Sequence, residues 1–386
     1  IAIIPFDNKG ADEDVFYAYG ISADLISDCS RAGLIRVASL KQIEELGELP
    51  VEEKAKKLNV RYIATGNLWK MGEIFQLSIE LYDSKDKKVI WSDRWQESWD
   101  NLTSIKGNLS DGLLNALDTK RKVEMKIDTS NLEAYEYYLK GKYKWEKREN
   151  KEDAEIARGL LKKAIKLDNN LLSAKSLLGG TYFVANDFYK TLELSKQIIN
   201  QAEKLNDKKM KAGSLWAIGN VYFYKENNLE KALDNYNRAL TIFKDIEDME
   251  GIGECYNQIG ILYVLSNRYD EGIDCQTRAV NTFKKLDNSF GLGYSLNWFG
   301  NTFTKIGMYD RALLYYEQAL EIHEKKVKAK RGIGFNLGNM GRLFDKMGEY
   351  NEAIKYLKRS IKIFENLGED KGSLANYLRC LGNVHF

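Results

Sequence analysis

The segment Met340-Gly341-Arg342-Leu343-Phe344-Asp345-Lys346-Met347-Gly348-Glu349-Tyr350-Asn351-Glu352-Ala353-Ile354 decides how most of this chain folds. Gly341 is followed three positions later by Phe344 and twelve positions later by Ala353, with Ser360 seven beyond that. The same spacing recurs along the sequence. Gly179, Gly219, Gly260, Gly300, Gly341 and Gly382 are 40 or 41 residues apart, and Tyr182, Tyr222, Tyr263, Phe303, Phe344 and His385 stand three after them. Ala232, Gly272, Ala312 and Ala353, then Ala239, Ala279, Ala319 and Ser360, complete four of the units. A period of this length marks stacked supersecondary units. Small residues at these offsets let two antiparallel helices approach closely, while the aromatic residues fill the space between one pair and the next. One unit cannot bury its own apolar face, but a stack can.

This spacing resembles the tetratricopeptide repeat, in a long variant of about 40 residues. The resemblance covers residues 131–386 and implies an all-α right-handed solenoid of about six helical pairs plus a truncated seventh. Two departures predict looser stacking early on. Leu192 and Ile199 stand where small residues are expected after Gly179, and one extra residue separates Gly219 from Ala232.

Residues 1–120 read differently, as an α/β domain. Ile1 to Phe6 predicts a buried strand, Ile21, Leu25 and Cys29 one face of a helix, and Leu34 to Ala38 a second short strand. Val51, Ala55 and Leu58 mark another helix, and Tyr62 to Trp69 another strand, ended by a turn at Lys70, Met71 and Gly72. Phe75, Leu77, Ile79 and Leu81 alternate with Gln76, Ser78 and Glu80, the pattern of a strand with one buried face. A charged turn at Asp83 to Lys87 leads into Val89-Ile90-Trp91, which predicts a hairpin, and Leu102, Ile105, Leu109 and Leu113 predict a closing amphipathic helix. Ile1-Ala2-Ile3-Ile4-Pro5-Phe6-Asp7-Asn8, Tyr19-Gly20-Ile21 with Asp24-Leu25-Ile26, Ile35-Arg36-Val37, Val60-Arg61-Tyr62-Ile63 and Ile90-Trp91 resemble the TolB-like amino-terminal domain. In bacteria that domain commonly precedes tetratricopeptide repeats, with a join similar to Leu132-Glu133-Ala134-Tyr135 and Tyr138 to Tyr143 here. Residues 121–130, basic from Lys120 to Lys126, read as the linker. The pairing usually forms the carboxyl-terminal regulatory part of a larger protein, behind a class III adenylate or guanylate cyclase or a winged-helix DNA-binding domain. The first residue, Ile1, is not Met, and the repeat pattern stops inside a helix at Phe386, so the chain is expected to be a fragment. Its uncapped carboxyl end is expected to self-associate as a homo-oligomer.

Composition narrows the function. Lys and Arg number 58 against 56 Asp and Glu, a net charge of +2, too near neutral for non-specific nucleic-acid binding. No apolar run approaches the length of a membrane span. The four cysteines, Cys29, Cys255, Cys275 and Cys380, are scattered, as expected of a reducing, cytoplasmic setting. The sequons at Asn101 and Asn108 are short patterns of the kind that occur by chance.

The chemical motifs are sparse. His323 and His385 are the only histidines, and neither has a second ligand at metal-binding spacing. His323, in a helix tail, is expected to be solvated. No phosphate-binding loop or nucleophile turn occurs, and Gly291-Leu292-Gly293 and Gly332-Ile333-Gly334 recur with the repeat and read as repeat junctions. Trp91, Trp95 and Trp99 are expected to pack, and the cluster Lys325, Lys326, Lys328, Lys330 and Arg331 to be a hydrated turn. No catalytic residue, metal or cofactor is expected.

The resemblance implies that the first helix of each pair lines a concave groove where peptides bind by polar contacts to their backbone. In register, the residue after each glycine from Gly219 onward is Asn220, Ile261, Asn301, Arg342 and Asn383, and the residue three before it is Trp216, Asn257, Asn297, Gly338 and Arg379. Asparagine offers a backbone both a donor and an acceptor, and arginine can fork onto a carboxylate. The candidate groove residues are therefore Asn220, Asn257, Asn297, Asn301, Arg342 and Arg379. The expected function is a non-catalytic protein- or peptide-binding regulatory segment of a bacterial signalling protein. One competing reading places the catalytic domain of a nucleotide cyclase upstream; another makes the α/β domain a small-molecule sensor.

Overall fold

A computed structural model of the chain describes residues 1–31, 37–38, 40–44, 46–98, 101–118, 129–148, 150–327, 330–367 and 371–385. Its contacts divide it into two units, Ile1–Asp248 and Met249–Phe386. The expected strand at 34–38, Trp99 and most of the linker at 121–130 lie wholly or largely outside the described residues.

The first unit opens with a mixed sheet. β1 (Ala2–Ile3) and β2 (Asp7–Asn8) both lie parallel to β3 (Tyr62–Met71), which pairs antiparallel with β4 (Ile74–Asp83), and β4 with β5 (Lys88–Ser98). The single strand expected over residues 1–6 is interrupted. Pro5 has no N–H to give a ladder, so the chain leaves β3 after the Ile4 amide bonds to Ala64 O at 2.9 Å and rejoins it at Asp7. The alternating face of β4 is as expected, with Phe75, Leu77, Ile79 and Leu81 fully buried. α1 (Val15–Arg31) and α4 (Leu102–Ala116) pack on the sheet, and Ile21, Leu25, Cys29, Leu109 and Leu113 supply their buried stripes. Trp91 and Trp95 lie on β5, half-buried against this core, with the Trp91 ring seated where Gly112 of α4 lacks a Cβ. Two shorter helices, α2 (Leu40–Glu44) and α3 (Val51–Leu58), complete the region.

Three helical pairs follow in the same unit: α5 (Leu132–Glu146) with α6 (Lys151–Leu167), α7 (Leu172–Val184) with α8 (Phe188–Lys204), and α9 (Lys208–Tyr224) with α10 (Leu229–Asp245). One apolar core runs from Ile1 to Tyr182, so the sheet and helices α5–α7 share an interior. Gly20 of α1 makes room there for Leu139 of α5.

The second unit continues the pattern with α11 (Met249–Leu265) and α12 (Tyr269–Lys285), α13 (Ser289–Ile306) and α14 (Tyr309–Glu321), α15 (Lys330–Met347) and α16 (Tyr350–Leu367), then α17 (Lys371–His385). After α14 the chain runs on as a π-helical segment, Ile322–Val327. Short turns with left-handed residues, such as Asn267, Asp287, Gly307 and Gly348, end its helices.

The small residues act as the spacing predicts. A Cβ on Gly300 would come within 2.5 Å of the Tyr316 ring, and Ala312 and Ala319 are fully buried beside it. Around Gly179 the approach is looser, with Leu194 Cβ 3.9 Å from the same construction. The register there differs from the expectation: Thr191 and Ile198, rather than Leu192 and Ile199, face the partner helix, and Thr191 Oγ1 donates to Gly179 O at 3.2 Å. The extra residue after Gly219 is absorbed by a four-residue turn, 225–228, with Asn227 left-handed.

Candidate functional site

The first helices of the pairs in the second unit, α11, α13, α15 and α17, pack on one another in sequence. They carry five of the six candidate groove residues. Asn257 lies on α11, Asn297 and Asn301 on α13, Arg342 on α15 and Arg379 on α17.

Asn297 and Asn301 belong to a network of side-chain amides that crosses from α13 to α15. Asn297 Nδ2 donates to Asn336 Oδ1, and Asn297 Oδ1 accepts from Asn339 Nδ2 at 3.0 Å and from Asn301 Nδ2 at 3.5 Å. Asn301 Oδ1 in turn accepts from the Tyr316 hydroxyl at 2.8 Å, which lies 3.1 Å from Thr304 Oγ1. Asn336, Asn297 and Asn339 are buried, whereas Asn301 is half-buried. Burial raises the Tyr316 phenol well above its ordinary range, while the Thr304 hydrogen bond and the charge of Arg342 act in the opposite direction. The hydroxyl therefore stays protonated and remains a donor to Asn301.

The other end of the network corrects one expectation. His323 is buried rather than solvated, because the chain does not turn at the helix tail: α14 continues through the π segment and carries the imidazole inward. Its ring fills the space left by Gly293 of α13 and Gly332 of α15, and lies edge-on to Tyr294. Asn336 Nδ2 is 2.7 Å from His323 Nδ1 and also donates to Gly332 O at 3.1 Å. With both hydrogens of that amide directed outward, Nδ1 is the acceptor, and the neutral ring carries its proton on Nε2. The Gly-x-Gly segments at 291–293 and 332–334 lie inside α13 and α15, where they admit Phe283, His323 and Phe364.

The remaining candidates stand apart from the network. Asn220, in the first unit, is buried between α9 and α10, where its Oδ1 accepts from Tyr236 at 2.6 Å. Asn257 is buried on α11. Arg342 is exposed and has no hydrogen-bond or ion-pair partner among the described residues. Arg379 is exposed, and its Nη2 donates to Asn376 at 3.0 Å. Sequence reasoning missed His323, Asn336, Asn339 and Tyr316. The repeat register contains the signal for the first: His323 falls 40 residues after Phe283 and 41 before Phe364, in a position otherwise given to a buried aromatic. Among the described residues no group of three or more His, Cys, Asp or Glu side chains is placed to hold a metal ion, and no helix is long and apolar enough to cross a membrane.

The chain is a small sheet region followed by a long helical array of the tetratricopeptide type. Family models described as tetratricopeptide repeat match residues 252–325 and 336–381. Repeats of this class are protein-interaction elements. No curated protein matches the sequence. Solved structures with a similar fold include BtubC (BKLC) from P. vanneervenii, 18% identical over 56% of this chain and 89% of that one, with a TM-score of 0.45. A Rap protein complexed with competence and sporulation factor is 18% identical over 72% of this chain and 80% of its own, with a TM-score of 0.48. A putative kinesin light chain from Podosopora anserina is 15% identical over 50% and 94%, with a TM-score of 0.40.

Proposed function

We propose that this chain is a non-catalytic, regulatory protein-interaction segment of a bacterial signalling protein, and that the α11–α13–α15 face of its second unit binds an extended peptide. The observation that carries this reading is the pairing of Asn301 with Arg342. They occupy the same repeat position on successive first helices, the first half-buried with its Oδ1 accepting from Tyr316 and only a long 3.5 Å bond from its Nδ2, the second exposed and without an ionic partner. An amide whose N–H group is held only loosely thus shares its repeat position with a guanidinium suited to a carboxylate. The resemblance of residues 1–120 to the TolB-like domain supports the signalling context, with a class III cyclase or a winged-helix regulator as the kind of parent protein.

Asn297 is the wrong residue with which to test this. Truncating it would leave Asn336 and Asn339 short of partners inside the unit. The test uses Arg342→Glu, selecting a phage-displayed library of random twelve-residue peptides on the whole chain. Enriched peptides should carry a carboxylate and lose at least roughly tenfold in affinity for the variant, about 1.4 kcal/mol. Failure to enrich any peptide, or equal binding to both proteins, rejects the reading.

A further inference from the structure

Six residues before the repeat glycine, α13 and α15 carry Tyr294 and Phe335, whereas α11 carries Glu254. Tyr294 and Phe335 pack against the rings of His323 and Phe364. A carboxyl group at this position has no such use. Asn257 and Gln258 follow it by three and four residues, which places all three on one helical face, with Glu250 one turn before. Asn257 is only 5% exposed, and neither its Oδ1 nor the buried Oε1 of Gln258 has a hydrogen-bond partner among the described residues. Glu250 Oε1 accepts from Asn288 Nδ2 at 3.2 Å, which ties the start of α13 to the same strip. Burial, and then the charge of Glu250, push the Glu254 carboxyl up to about 7.

Buried polar atoms in folded proteins are nearly all hydrogen-bonded, and the unpaired ones call for a cause. Here the unpaired side-chain atoms are oxygens, next to a carboxyl group that ionises only at cost. Their common complement is a cationic hydrogen-bond donor. We infer that this face of α11 is a subsite for the basic side chain, arginine above lysine, of the peptide held by α11, α13 and α15, an assignment that rests on the peptide reading above. A guanidinium brings five N–H donors in a fixed fork, against three on an ammonium, and so suits several oxygens spread along one helix turn. The face is then polar along its length, acceptor-rich at α11 and cationic at Arg342 of α15. Two steps between packed helices span roughly 16–20 Å, and the seven-residue offset in register adds about 10 Å along the axis, so the base and the acid of the peptide are separated by about six or seven extended residues.

The probe is N-acetyl-arginine amide, titrated onto the whole chain and followed by NMR, with N-acetyl-citrulline amide as the uncharged isostere and N-acetyl-lysine amide as the second cation. The arginine compound should bind, the lysine compound more weakly, and the citrulline compound not at all. Binding should strengthen roughly tenfold from pH 6 to pH 8 as Glu254 ionises, and Glu254→Gln should remove both binding and its pH dependence. Asn257→Leu, which keeps the side-chain volume but not the acceptor, should weaken binding severalfold with no loss of melting temperature. Equal binding of arginine and citrulline compounds, or full binding by Glu254→Gln, overturns the subsite. The two readings separate cleanly: if no library peptide depends on Arg342 but the arginine compound still depends on Glu254, the peptide face fails and the cation site stands. If Arg342-dependent peptides keep their affinity when arginine is replaced by citrulline, the cation site fails and the peptide face stands.

Discussion

The imidazole of His323 accepts a hydrogen bond at Nδ1 from Asn336 Nδ2, 2.7 Å away, in a slot that the next repeats on either side fill with Phe283 and Phe364. One polar residue in an aromatic position thereby supports a second on the facing helix, and through Asn336 the bond reaches Asn297. Replacing His323 by phenylalanine restores the repeat's own side chain and removes the acceptor. His323→Phe should destabilise the chain by about 1 kcal/mol, because Asn336 loses a buried partner that the added apolar area only partly offsets. The effects of His323→Phe and Asn336→Ser should be non-additive by about 1 kcal/mol, since Ser stands at the equivalent position 295 and bonds its own helix. Urea denaturation of the two single variants and the double variant measures this coupling, and strict additivity would show that the bond contributes nothing.

Gly300 and Gly159 should respond oppositely to the same change. A methyl group at Gly300 meets the Tyr316 ring at 2.5–2.9 Å, and that ring is buried and held by Asn301 and Thr304, so it cannot swing away. Gly300→Ala should cost about 2–3 kcal/mol through overpacking. In α6, a methyl at Gly159 meets nothing within 4 Å, and Gly159→Ala should stabilise by about 0.5–1 kcal/mol from helix propensity alone. Thermal melting of both variants decides between close packing and mere helical preference as the reason for the repeat glycines.

The helical pairs could be read from the sequence because their signal is local and repeated. Gly300 with Tyr316, Ala312 and Ala319 is a contact between neighbours in the chain, and its residues recur at fixed offsets. The β4 face was legible for a similar reason, since alternation within ten residues determines which side is buried. The interruption at Pro5 was less so, because a missing N–H matters only once β3 is known to be its partner. His323 was misread through treating its helix as ended where the charges begin, whereas the π segment continues and buries it. The asparagines were found by register, but register alone does not say which carboxamides are free. The Oδ1 of Asn220 is taken by Tyr236, that of Asn301 by Tyr316, and Asn297 is held by its three neighbours, and only the placement of those partners shows that.

Where α5 meets α1, Asp24 is shared by the buried Tyr135 hydroxyl at 2.5 Å and the half-buried Lys142 Nζ at 3.1 Å. Burial opposes the charge on Lys142, but Tyr138 and Asp24 outweigh it and hold its pKa above the ordinary lysine value. The lysine is therefore charged throughout the accessible pH range. Lys142→Met should cost about 2–3 kcal/mol by taking a cation away from the Asp24 carboxylate, and Asp24→Asn added to it should recover part of that loss. Chemical denaturation of the single and double variants checks the sign of the second step. A further loss would mean that Tyr135, rather than the ion pair, dominates the contact.

Glu254 should make the chain less stable as the pH rises through neutrality. Its carboxyl is pushed up to about 7 in the folded chain from an ordinary 4.5, chiefly by burial. Below pH 4.5 it is protonated whether the chain is folded or not, and it imposes no penalty. Between 4.5 and 7 the unfolded chain releases the proton while the folded chain keeps it, so each rise in pH favours unfolding. Above 7 the loss levels off at roughly 3 kcal/mol, from about 1.4 kcal/mol per pH unit. Glu254→Gln removes the ionisation and keeps the shape, so the variant should match the parent at pH 4.5 and exceed it by about 3 kcal/mol at pH 8. N-acetyl-arginine amide at pH 8 should narrow that gap by raising the stability of the parent and not of the variant. Urea denaturation at the two pH values, with and without the amide, supplies all four numbers, and parallel pH profiles for parent and variant would show that the carboxyl is not held in a desolvated site.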